Sequence, residues 1–60
     1  MDEKTLKEIQ ESIARAEEKL EELEEDIEKA TRAGIDTSAL LRRKETLKRQ
    51  ILRLKAVYSE

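Results

Sequence analysis

Sixty residues, 37% of them apolar and 47% charged, make at most one small unit with a formal net charge of −2. The chain has no Cys, His, Pro, Trp or Phe, and Tyr58 is its single aromatic residue. That composition excludes thiolate and imidazole metal ligands, a cysteine nucleophile, a disulfide and a histidine base, and it matches a coiled coil.

The first predicted element covers residues 2–33. Leu6, Ile9, Ile13, Ala16, Leu20, Leu23, Ile27 and Ala30 follow one another at alternating steps of three and four. A heptad repeat of this kind winds into a helix with one narrow apolar seam, which has to lie against another helix. Asp2 and Glu3 suit the positive end of the helix macrodipole, and Lys29 and Arg32 suit its negative end. Opposite charges at i,i+4, such as Glu3/Lys7, Glu11/Arg15, Glu25/Lys29 and Glu28/Arg32, support the helix. Its middle instead holds like-charge pairs, Glu17/Glu21, Glu21/Glu25 and Glu24/Glu28 among them, and calls for positive charge from elsewhere.

Gly34, the one glycine, stands where the seam would place its next apolar residue. It reads as a left-handed C′ stop, with Ile35 as the hydrophobic residue that follows. Asp36 then reads as the N-cap of a second helix, with Ile35 and Leu40 at the spacing of a hydrophobic staple. The expected turn is 34–36 and the second helix 37–59. A continuous rod is the competing possibility. Extending the first seam through the glycine would bring Lys44, Lys48 and Lys55 into it. Restarting the phase brings in Leu40, Leu47, Ile51, Leu54 and Tyr58, with Lys44 as the one exception.

Charge supports the restart. Residues 1–33 carry 6 Lys or Arg against 12 Asp or Glu, a balance of −6, and residues 37–60 carry 7 against 2, a balance of +5. Folding back at Gly34 lays an acidic helix along a basic one. In that register Glu17 meets Lys55, Glu24 meets Lys48, and Asp26 meets Arg43 on the other flank. Leu20 and Leu23 face Leu47 and Ile51, while Ile13 lies near Tyr58. The expected fold is all-α: one two-helix antiparallel coiled-coil hairpin over residues 1–60. Leu6 and Ile9 project beyond the second helix, and Leu41 and Leu52 lie about 100–120° round that helix from its seam. A chain this short buries little surface alone. These four residues are therefore read as an interface, and the hairpin as half of a four-helix bundle formed by a dimer.

Chemistry is thin. Lys44 on the seam could be a perturbed nucleophile or base, but no partner base or Gly-rich loop accompanies it. It reads as a snorkelling side chain that reaches Glu24 or Glu28 and sets register, together with the three flanking pairs. The Glu residues between Glu17 and Glu28 lie off the seam, and without His they read as a solvated face rather than a metal site. Arg42, Arg49 and Arg53 form a stripe opposite the core. In a net-negative chain with nothing to stack on bases, that stripe does not signal nucleic acid. A basic amphipathic helix can lie on an anionic membrane, but this one uses its seam on the first helix. No apolar run exceeds three residues, so nothing spans a membrane. Asp2 and Glu3 after Met1 do not make a secretory signal, which leaves the cytoplasm or an unassigned compartment. Tyr58 closes the open end of the seam on Ile13. No cofactor is implied. The partner is a second copy of the chain, with another protein's helix as the alternative.

Two resemblances accompany these residues. Gly34 at the turn, Leu40-Leu41, Leu47 and Ile51 make the second half similar to the small sporulation-regulating phosphatases of bacilli, helical hairpins that act on response-regulator aspartyl phosphate. That likeness implies a hairpin regulator docking on another protein. The family's Ser-Gln-Glu-Leu-Asp signature is here Lys44-Glu45-Thr46-Leu47-Lys48, in which only the packing Leu survives, so the activity does not carry over. The single turn Gly, the Asp cap and a surface of Glu, Lys and Arg also resemble designed helical proteins. That likeness implies an engineered structural module, from whose idealised pattern Lys44, Leu41 and Leu52 depart.

Overall fold

The computed structural model describes residues 2–58. They form two helices, α1 over Glu3–Arg32 and α2 over Ser38–Tyr58, which pack on each other and enclose an elongated body of 48 × 15 × 14 Å. Cross-helix pairs between Lys55 and Glu17 and between Lys44 and Glu24 fix the sense as antiparallel. The expected end of the second helix at residue 59 lies outside the described residues.

Asp2 begins α1 as its N-cap. Its backbone is extended, and its carboxylate accepts the Thr5 N–H at 2.8 Å. One donor that the helix cannot satisfy internally is thereby paired. Along the next thirty residues the half-buried positions are Ile9, Ile13, Ala16, Leu20, Leu23, Ile27 and Ala30. These are the heptad positions themselves, without Leu6.

The helix stops at Gly34 for a local reason. Gly34 has φ +74, where a side chain would crowd the backbone and glycine has none. Its N–H bonds the Thr31 carbonyl at 3.1 Å, and the Ile35 N–H bonds the Ala30 carbonyl at 2.9 Å. This pair of bonds is the Schellman motif, which satisfies carbonyls left open at a helix end. The chain reverses here, so a rod through Gly34 is excluded.

The start of α2 falls one residue later than the sequence suggested. The first i→i+4 bond onto the helix is accepted by the Thr37 carbonyl, from the Leu41 N–H at 2.9 Å. Asp36 acts just outside, where its Oδ1 accepts both the Ser38 N–H at 3.0 Å and the Ser38 hydroxyl at 2.7 Å. Asp36 thus forms a short Asx-type turn that leads into the helix and binds both donors of Ser38. With the frame shifted, Ile35 remains 62% exposed, and the expected staple on Leu40 leaves most of it uncovered. Thr37 instead is half-buried at the mouth of the seam, followed by Leu40, Lys44, Leu47 and Leu54. Ile51 is the one buried hydrophobic residue among those described, at 5% exposure.

Candidate interaction surface

Leu23 and Leu47 line one flank of the helix–helix groove, and Leu20 and Ile51 line the other. The seam therefore closes in the register expected from charge. Glu17 and Lys55 form the predicted ion pair at 3.0 Å. Lys44 leans out of the seam to Glu24 at 3.5 Å, with its side chain about a quarter exposed. That is the snorkelling arrangement, in which the methylene stem stays on the apolar seam and the ammonium finds a carboxylate at the edge.

Two register pairs are corrected. Glu24 is taken by Lys44, so the expected Glu24–Lys48 pair does not form. Lys48 lines the same groove as Glu24 but lies beyond ion-pair distance of any described carboxylate. Lys44 has the advantage because its stem is already held by the seam, which reduces the entropy lost on pairing. Asp26 and Arg43 also line one groove without pairing. An exposed pair of this kind contributes about 0.2–1 kcal/mol, too little to fix two mobile side chains. Within α1, Arg32 bonds Glu28 at 2.6 Å, while Arg15 turns to the Ser12 hydroxyl at 3.3 Å instead of Glu11.

Two carboxyls are held below the ordinary value of 3.8. Asp2 is lowered first by the Thr5 backbone N–H, and Asp36 first by the Ser38 hydroxyl and then by its N–H. Both are exposed and bond donors at the starts of the two helices. Among the described residues no three carboxylates converge to hold a metal ion, and no helix is long and apolar enough to cross a membrane.

What remains is apolar surface. Leu41 is 45% exposed and Leu52 is 63% exposed. Leu6 is 37% exposed, whereas Ile9 is half-buried and shares a shallow groove with Ile13, Lys55 and Tyr58. Of the four candidate interface residues, Ile9 is thus largely taken into the hairpin, and the other three stay open. Val57, at 61% exposure, is a further open residue that sequence reasoning missed. It borders Leu54 and Tyr58 on the opposite flank from Leu41 and Leu52. Its position three residues after the seam residue Leu54 was the available signal. Comparison with family models, curated proteins and solved structures finds no match for the chain.

Proposed function

We propose that this chain is a non-enzymatic structural or interaction module: a helical hairpin that self-associates, most simply as a two-fold dimer bringing four helices together. The observation that carries the reading is the mismatch between its covered and its bare apolar side chains. One hydrophobic residue, Ile51, is buried among those described, while Leu41, Leu52 and Leu6 stand open on one molecule. A body this thin leaves most of its seam half in water, and burial of apolar surface is the main favourable contribution to folding. A second copy packed on Leu41 and Leu52 covers apolar surface that the hairpin leaves bare. The hydroxyl that stands beside a carboxylate, Ser38 on Asp36, lies exposed at the start of α2, where it belongs to the turn. Lys44, the one polar seam residue with a long reach, is occupied by Glu24.

Sedimentation equilibrium at micromolar concentration tests the reading. The expected result is a mass near twice that of the chain, falling towards the monomer on dilution. A single monomer mass across the concentration range overturns it.

A further inference from the structure

The flank of α2 that carries Leu41 and Leu52 has an internal order. Between them, on the same side, stand Glu45 and Lys48, giving the series Leu41, Glu45, Lys48, Leu52 at steps of four, three and four. At about 100° per residue the four fall within about 60° of one another, and they extend for about 16 Å along the helix. All four are exposed. Neither Glu45 nor Lys48 has an ion-pair partner among the described residues. Glu45 is also the only carboxylate within α2, in a helix otherwise rich in Lys and Arg. Read from its far end, the series becomes leucine, lysine, glutamate, leucine. Reversal therefore leaves the leucines in place and exchanges the two charges. An antiparallel copy placed against this stripe meets leucine with leucine and each charge with its opposite, which is the self-complementarity a two-fold contact requires.

We propose that a second copy of the chain packs on this flank about a two-fold axis, α2 antiparallel to α2. Leu41 of each copy rests on Leu52 of the other, and Glu45 of each lies beside Lys48 of the other. The proposal rests on the self-association described above and adds its face, direction and register. It accounts for two features that the hairpin alone leaves unused, the single acid of α2 and the lysine that Glu24 does not take. It also places the partner about 100–120° round α2 from the seam. The two basic helices are then central, stitched by Glu45, and the two acidic α1 helices are held apart on the outside.

Charge exchange tests it. Glu45→Lys and Lys48→Glu, each alone, set like charges across the axis twice over and should raise the dimer dissociation constant about tenfold at low salt. The double variant Glu45→Lys/Lys48→Glu restores both opposite pairs and should return the constant to within about threefold of the native value. Helix content by circular dichroism is followed for each variant. Weakening by both single changes without rescue by the double overturns the antiparallel register. A dimer indifferent to all three overturns the face while leaving self-association standing, and a native chain that is monomeric throughout overturns both. Should a charge variant lose its helix, a second measurement decides. The chain has no cysteine, so equal amounts of Glu45→Cys and Lys48→Cys chains can be mixed and oxidised. Disulfides between unlike chains well above the statistical half support the register, and a statistical mixture overturns it.

Discussion

Ile51 and Leu52 are sequence neighbours of nearly equal size, yet the first is 5% exposed and the second 63%. Ile51 sits on the seam among Leu20 and the charged edge of α1, while Leu52 lies on the rim of the same groove and faces out. The contrast teaches that α2 carries leucines on two faces and the hairpin closes one of them. The closed face determines that the chain folds back on itself. The open face is where the proposed second copy binds.

The largest expected effect separates the two faces. Ile51→Ala removes a covered side chain and should destabilise the hairpin by about 2–5 kcal/mol, read by urea unfolding. Leu52→Ala should leave unfolding of the dilute chain within about 0.5 kcal/mol of native and act only at concentrations where the dimer forms. Equal losses from both changes in dilute solution would erase the distinction.

A smaller loss follows at the turn. Gly34 has a positive φ, and an added Cβ would meet nothing within 4 Å. Gly34→Ala therefore carries a backbone cost alone, about 1–2 kcal/mol, and Gly34→Asn should recover part of it because Asn tolerates this conformation better. Thermal melts of the three chains give the order Gly, Asn, Ala.

The caps give a pH signature. Asp2 and Asp36 have carboxyls lowered below 3.8 in the folded chain by the donors of Thr5 and Ser38. The unfolded chain therefore takes up those protons first as pH falls. The stability they contribute is complete above 3.8 and is lost as pH drops through the lowered folded values. Asp2→Asn and Asp36→Asn should flatten that acid limb of the melting temperature, most of all together, with little change in its shape above pH 5. An unaltered acid limb in the double variant would mean these bonds do not persist in solution.

The smallest effect compares two lysines. Lys55 holds Glu17 at 3.0 Å and Lys48 holds no described carboxylate. In dilute solution at low salt Lys55→Glu should cost about 1 kcal/mol or less and more than Lys48→Glu. The difference should shrink at high salt, as followed by thermal melts at two ionic strengths.

The backbone was legible in the sequence because its determinants are local and periodic. A heptad without error named the half-buried residues of α1, and one glycine at the break in phase named the turn. The half-exposed charges were less legible. Glu24 has Lys44 and Lys48 within one turn of each other, and both choices satisfy the same charge balance. The outcome depends on which stem is already packed, a tertiary fact. The one-residue shift at the start of α2 was also hard to read, since Asp36 bonds both donors of Ser38 while the first helical carbonyl is that of Thr37. Leu41 and Leu52 were found by their angle from the seam. Val57 was missed because it stands alone near the end of α2, with no companion one heptad away among the described residues.

The concentration dependence of the melting midpoint tests the central claim most directly. Over a hundredfold range of chain concentration the native midpoint should rise steadily, because association stabilises only the folded form. In the Leu41→Glu/Leu52→Glu chain the midpoint should stay fixed at the dilute value. A native midpoint that does not move with concentration would contradict the account.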